Sequence, residues 1–361
     1  MLAGTVVLLF LLPATAACLH YAIGSIVGRF PRKVPVRTPT HRVAVLIPAH
    51  NEESTLPHAL ASLAAADYPA GLLSVLVVAD HCTDGTVRQA RHGGAGCLVR
   101  RGPSPRGKGH ALADGMAELL LTKPDAVMVL DADCRIAPGL LRRMDAELAD
   151  GAKVVQAAVV SVCEPGRPAS VVAAVGAAFD NRMAAASDRL GRPAPLRGTG
   201  MLFAREILER QPWTKFGVAE DAEYAAELRR HRVPIRFAAG EGVTCEAPPR
   251  EAVFLGQRRR WSAALWVPPS LWPTGWLASK PLILTHLLVT CFAVRLPAPE
   301  AWPTIWAMAL GGVTTTIYVD AMFCVGVRWP GLRSIWLVGR LAVQALGSLW
   351  VRETQWRPTP R

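Results

Sequence analysis

Four apolar runs stand out along the middle of the chain: VAVLIP (43–48), SVLVVAD (74–80), AVMVLD (126–131) and VVQAAVV (154–160). Each is continuous rather than alternating, the pattern of a strand buried on both faces of a sheet. Between and after them, Glu52–Asp67, Thr83–His92, Lys108–Leu121 and Pro138–Asp150 mix apolar and polar positions in the manner of helices. Strand alternating with helix predicts a Rossmann-like, doubly wound α/β sheet over residues 43–262, with the four runs as parallel strands. A further helix is expected over Asp221–His231.

The two ends of the chain read differently. Residues 1–28 carry no Asp, Glu, Lys or Arg, enough to cross a ~30 Å hydrocarbon core as a helix. Arg29, Arg32, Lys33 and Arg37 follow at once, in a Pro-spaced basic linker over 29–42, and such a flank belongs on the cytoplasmic side. A cleaved signal peptide is the competing reading, but it wants a positive segment ahead of the apolar one, and none precedes Arg29. The region 263–361 is apolar again and is expected to form two to four spans or interfacial helices. Residues 276–296 and 302–327 are the clearest, the second with Asp320 as its single charge. Residues 335–351 carry Arg340 in the middle, so this segment faces other protein or lies in the interface.

Composition agrees. Hydrophobic residues make up 51% of the 361 and charged residues 19%, below the ~25% of a typical soluble domain. That excludes a disordered chain, a collagen or a coiled coil, and suits a globular domain joined to membrane segments. The net charge of +12 gathers at the membrane flanks, which points to membrane lipids as its partner and away from nucleic acid. The eight cysteines include no CxxC pair, so zinc-ribbon and thioredoxin readings fail, and buried free thiols in a reducing compartment are expected.

In doubly wound sheets ligands bind beyond the carboxyl ends of the strands. Polar residues gather there: Pro48-Ala49-His50-Asn51-Glu52, then Asp80 with His81-Cys82-Thr83-Asp84-Gly85, then Asp131-Ala132-Asp133. One acid at such a place caps a helix; acids or amides at three strand ends predict a nucleotide pocket. Asp131 and Asp133, one residue apart just past a buried strand, suit a shared hard cation, Mg²⁺ or Mn²⁺, bridging to a diphosphate. Gly107-Lys108-Gly109 sets a lysine between glycines at a helix start, where an anion is welcome, although an exposed turn would look the same. Glu220-Asp221 opens a helix, a place that favours acids whatever their function. A general base for a sugar hydroxyl is the functional reading. Gln257-Arg258-Arg259-Arg260-Trp261 is either a lipid-facing basic cluster or a diphosphate fork with a stacking platform for a sugar.

Taken in order, PAHNE (48–52), ADHCTDGT (79–86), GKGHAL (107–112), DADC (131–134), GTGMLF (198–203), AED (219–221) and QRRRW (257–261) resemble the motifs of family 2 glycosyltransferases of the GT-A fold. The resemblance is nearest to the membrane-bound branch of cellulose, hyaluronan and poly-N-acetylglucosamine synthases. It implies an inverting, metal-dependent transfer from a nucleotide-sugar, with a UDP-linked donor expected. Glu52 and Asp80 would then contact the nucleoside, and Lys108 the diphosphate. Asp131 would meet the ribose and diphosphate, Asp133 the metal, and Asp221 would be the base. Gln257, Arg260 and Trp261 would hold donor diphosphate and acceptor, and Gly198, Thr199, Gly200 and Glu220 would line the acceptor side. The chain departs from the large synthases in its short segment after QRRRW and in AED where cellulose synthases commonly have TED.

A processive synthase needs a polar tunnel through several packed helices, which few short spans supply. A lipid-linked or otherwise membrane-proximal acceptor is therefore expected over a growing polysaccharide, at the cytoplasmic face of a bacterial plasma membrane. A catalytically silent assembly subunit is the alternative of another class; it has no need of the acids at 131, 133 and 221.

Overall fold

The computed structural model describes residues 2–35, 37–164, 166–247, 250–261 and 302–348. After helix α1 (Leu2–Val27) come β1 (Val43–Ala49), α2 (Leu56–Ala64), β2 (Leu73–Asp80), α3 (Thr86–His92), β3 (Gly96–Arg100), α4 (Lys108–Leu121) and β4 (Ala126–Val129). The second half holds β5 (Cys134–Ile136), α5 (Leu140–Ala149), β6 (Val154–Ser161), α6 (Pro168–Arg189), β7 (Met201–Ala204), α7 (Arg205–Arg210), α8 (Glu220–Arg230), β8 (Ile235–Cys245) and α9 (Glu251–Trp261). Helices α10 (Trp302–Cys324) and α11 (Gly331–Ser348) complete the described elements.

The strands form one sheet in the order β3-β2-β1-β4-β7-β6-β8-β5. The first four are parallel. β7 enters antiparallel to both β4 and β6, so β6 still runs with β4, and the four apolar runs do share one direction. The sheet as a whole is mixed, because β5 also lies antiparallel on β8.

Both faces are covered, which explains the unbroken apolar runs. Ala44 and Leu46 of β1 join Val78, Val127 and Val129 in a core with α4 residues Ala111, Leu112 and Met116. Val43, Val45 and Ile47 face the other way, toward Leu56 and Leu60 of α2 and Leu140, Leu141 and Met144 of α5. Full burial of a side chain such as Leu46 contributes roughly 1.5–3 kcal/mol.

Where the chain enters this domain, buried Asp145 accepts the main-chain N–H groups of Thr40 (3.0 Å) and His41 (3.2 Å) and the Tyr68 hydroxyl (3.2 Å). The linker before it is not simply a basic surface. Arg32 turns to Glu147, Asp150 and Asp188 of the domain.

α1, α6 and α10 pack together through Tyr21, Val171, Phe179, Ile317 and Ala321. Gly28 of the α1 end must be glycine, because a Cβ there would stand on the Arg182 carbonyl. Asp320 draws the three helices together by accepting Arg29 at 2.5 Å and facing Arg182 at 3.5 Å. Among the described residues no helix offers an apolar run long enough to cross a membrane. The side chains of residues 1–11 and the whole of 262–301 and 349–361 lie outside them. The expected span over 276–296 therefore falls outside the described residues, as does the end of the one over 335–351; the chain is helical at α1, α10 and α11, where the other spans were expected, but none of these helices meets that requirement.

One expectation is overturned. Cys134 and Cys245 are not free thiols but a disulfide, set opposite each other on β5 and β8 with Cα atoms 4.3 Å apart. Their separation of 111 residues hides a pairing that only the strand register creates. Cys18, Cys82, Cys97, Cys163 and Cys324 are outside any disulfide among the described residues, and Cys291 lies outside the described residues.

Candidate active site

The carboxyl ends of β1, β2 and β4 open on one side of the sheet, and the turns that leave them interlock. Asn51 and His81 take positive φ, 57° and 52°, which turns the chain sharply off each strand. Asn51 Oδ1 accepts the Thr83 N–H at 2.8 Å, and Glu53 takes the Gly85 N–H at 2.9 Å. Glu52 is half-buried beside them, its N–H donating to Thr86 Oγ1 at 2.8 Å and its carboxylate accepting the Thr55 hydroxyl at 2.5 Å.

Asp80 is buried at the end of β2. Its carboxylate pairs with Arg100 and accepts the Gly107 N–H at 3.0 Å. Arg100 in turn donates to Pro105 O at 2.9 Å and to Asp114 at 2.6 Å. The Asp80–Arg100 pair thus holds the loop that delivers Lys108, and Gly107 at φ 133° makes the turn no other residue makes easily.

Lys108 is the hub. Its ammonium lies 2.6 Å from Asp131 Oδ1 and 3.8 Å from Glu220 Oε1, and donates to Gly198 O at 2.9 Å. Asp131 donates its own N–H to Thr199 Oγ1 at 3.1 Å. A Cβ on Gly198 would stand 3.5 Å from Asp221 Oδ2. The 198–200 turn needs its glycines: Gly198 and Gly200 have φ +76° and +64°. The structure therefore brings Lys108, Asp131, Gly198, Thr199, Glu220 and Asp221 into one cluster.

Electrostatics follow from that crowding. Burial opposes the Lys108 charge, but the Asp131 and Glu220 carboxylates outweigh it and hold the ammonium well above its ordinary range. Burial pushes Glu220 up to about 7, with Lys108 pulling it down and Asp221 pushing it further up. Burial likewise raises Asp221, against the pull of Lys108 and of the Ala222 N–H, which donates to Asp221 Oδ1 at 2.8 Å.

Asp131, Asp133 and Cys134 offer ligand atoms within 4.8 Å of one another. The Cys134 sulfur is already bonded to Cys245, so the remaining donors are carboxylate oxygens, the set that suits Mg²⁺ or Mn²⁺. Gln257 is half-buried on α9 and Trp261 is 50% exposed at its end; the Arg260 side chain lies outside the described residues.

Sequence reasoning missed Gln156. This fully buried amide donates to Thr199 O (2.9 Å) and Ala157 O (2.9 Å) and accepts the Arg197 N–H at 3.0 Å, so it staples the 197–200 turn to β6. Its signal was present: one amide inside the apolar run VVQAAVV.

This arrangement, a nucleotide-type sheet with acids and a lysine converging at its strand ends, is that of a sugar-transferring enzyme. Residues 39–264 match the family described as Glycosyltransferase like family 2; the chain belongs to this family and is a glycosyltransferase. It is 26% identical over 317 residues to the beta-monoglucosyldiacylglycerol synthase of Synechocystis sp., a match over 82% of this chain and 64% of that protein. It is 27% identical to the probable glycosyltransferase YdaM of Bacillus subtilis over 61% of this chain and 54% of that one. The chain thus spans less than two thirds of the length of either relative. Among solved structures, the mannosyltransferase PcManGT of Pyrobaculum calidifontis superposes with a TM-score of 0.59 at 18% identity, over 97% of this chain and 99% of that one. That likeness shows the GT-A fold.

Proposed function

We propose that this glycosyltransferase moves a sugar, with inversion, from a nucleotide-sugar to a lipid-linked or membrane-proximal acceptor at the cytoplasmic face of a bacterial plasma membrane. The convergence of Lys108, Asp131, Glu220 and Asp221 on the 198–200 turn carries the reading. Asp221 takes the proton of the acceptor hydroxyl as its oxygen attacks the anomeric carbon from the face opposite the leaving group. Lys108 meets the charge that develops on the departing diphosphate. Asp133 and Asp131 would hold the metal, which supplies further neutralisation of that leaving group. A base whose carboxyl is raised by burial is a stronger proton acceptor than an exposed Asp.

Support comes from three directions. PcManGT, of the same fold, was solved with GDP-Man and Mn²⁺. The relative from Synechocystis is named for a glycolipid product. α1 and α10, tied to the domain at Asp320, would hold the site beside the bilayer, and Arg29–Arg37 follows α1 as a cytoplasmic flank does. A UDP-linked donor is the first to test, because the motif resemblance points there.

The test is to incubate membranes containing the protein with a panel of nucleotide-sugars, with and without added diacylglycerol, and to measure nucleotide release and product size. Release of one nucleotide, coupled to a short lipid-borne product, is expected. Long polysaccharide made without a lipid acceptor would replace this reading with a processive synthase.

A further inference from the structure

A second group of charges adjoins the 197–200 turn. Arg197 donates from Nη1 to Asn181 Oδ1 at 2.7 Å, and its Nη2 lies 3.5 Å from Asp180 Oδ2. Asp180 and Asn181 belong to α6. Helix α9 packs on α6 through Phe254 and Leu255 against Ala169 and Ala173. Arg258, one turn beyond Phe254, lies over that ring at 4.9 Å and over the Trp261 ring at 4.5 Å. Its Nε is shut off from solvent and has no hydrogen-bond partner among the described residues. Burial lowers Arg258 to about 10, while Asp180 pulls it back up and Arg197 pushes it down; the three groups share one field. Two guanidinium groups, Arg197 and Arg258, thus face the Asp180 carboxylate, and a buried donor without a partner among the described residues is costly.

We propose that Arg197 and Arg258 form a subsite for an anionic group of the acceptor, a phosphate oxyanion, beside the 198–200 turn. Guanidinium forks fit phosphate oxygens, and an oxyanion at the forks would offset the positive charge that Asp180 faces. The acceptor rather than the donor is assigned because Arg197 adjoins Gly198, the residue against which Asp221 stands, and Asp221 meets the acceptor hydroxyl. The inference rests on that reading of Asp221. The Phe254 and Trp261 rings against the Arg258 guanidinium restrain it, which strengthens the contact.

The test uses the purified full chain saturated with Mn²⁺ and UDP or GDP, whichever binds, and calorimetric titration with three probes. These are dihexanoyl phosphatidic acid, glycerol 3-phosphate and neutral dihexanoylglycerol. Phosphate-bearing probes should bind in the presence of the nucleotide, about tenfold or more tighter than the neutral lipid, and Arg197→Gln and Arg258→Gln should each remove about tenfold or more of that binding. Asp180→Asn should tighten it, an outcome that a purely structural role for these residues would not produce. Phosphatidic acid well ahead of glycerol 3-phosphate marks a lipid headgroup as the source, and equal binding marks a soluble phosphate. The subsite is refuted if the neutral lipid binds as well as phosphatidic acid, if the variants bind like wild type, or if the nucleotide displaces the phosphate probes. Should Arg258→Gln fail to fold, Arg197→Gln and Asp180→Asn decide. Failure of the underlying reading looks different: no nucleotide binds with Mn²⁺, or Asp221→Asn turns over like wild type.

Discussion

The Lys108 ammonium and the Asp131 carboxylate stand 2.6 Å apart, where the first residue of α4 meets the end of β4. Lys108 is the cation that faces Asp131, Glu220 and Asp221 together. Lys108→Gln should therefore do two things. A lost charge-assisted contact of roughly 1.5–3 kcal/mol should weaken nucleotide diphosphate binding about 10- to 150-fold. Glu220 and Asp221, no longer held down by the ammonium, should titrate higher, moving the acidic limb of the kcat/KM profile to higher pH. Calorimetry and a pH series on the same variant check both.

Glu220 gives the pH dependence its sign. Its folded-state pKa of about 7 lies above the ordinary 4.5, so the folded protein binds more protons than the unfolded chain between those values. Stability should therefore fall as pH rises through that window. Thermal unfolding across it should show Tm declining with pH in wild type and a flatter line in Glu220→Gln. That variant also removes a negative neighbour of Asp221, and the acidic limb of its activity should move to lower pH.

Asp133→Asn replaces a charged metal ligand with a weaker neutral one. Turnover should drop sharply and recover in part as Mn²⁺ is raised. Activity indifferent to both the substitution and EDTA would remove the metal from the mechanism.

Asp221→Asn should cost roughly 10²–10⁴-fold in rate while nucleotide diphosphate binding stays near wild type. Parallel turnover and calorimetry separate the two.

Gln156→Leu would strip Thr199 O and the Arg197 N–H of their partner. Leaving such groups buried and unpaired costs about 1–3 kcal/mol, to be read from denaturant unfolding. Turnover should fall too, because the 197–200 turn supports both Lys108 and the acceptor side.

Much of this was legible before the structure. α4 covers Lys108–Leu121 as expected, because Gly107 breaks the chain just ahead of it. α2 starts at Leu56 rather than Glu52, since the Glu52–Thr55 turn is held by Thr86 and Asp84, partners distant in sequence. β5 and β7 are three and four residues long, too short to carry a pattern. β8 is interrupted by Gly240 and Gly242 where its pairing with β6 shifts register. α6 shows no single apolar stripe because it is covered from several sides, by the sheet, by α1 and α10, and by α9. The site acids were visible as strand-end residues. The roles of Gln156, Arg100 and Arg197 were not, because each acts through a partner brought close only by the fold.

The sheet order also bears on how the protein is made. β4 is flanked by β1 on one side and β7 on the other, and β7 is encoded well downstream. A nascent chain can pair β3-β2-β1-β4 soon after residue 129 emerges, but the Ala126–Val129 edge stays open until residues 201–204 leave the ribosome. At about 5–20 residues per second that interval is roughly 4–15 s. Through it, an apolar strand edge that carries the approach to Asp131 is open to pairing with a neighbouring chain. Ribosome pausing between codons 130 and 200 would lengthen this window, and expression yield should be most sensitive to synonymous changes in that stretch.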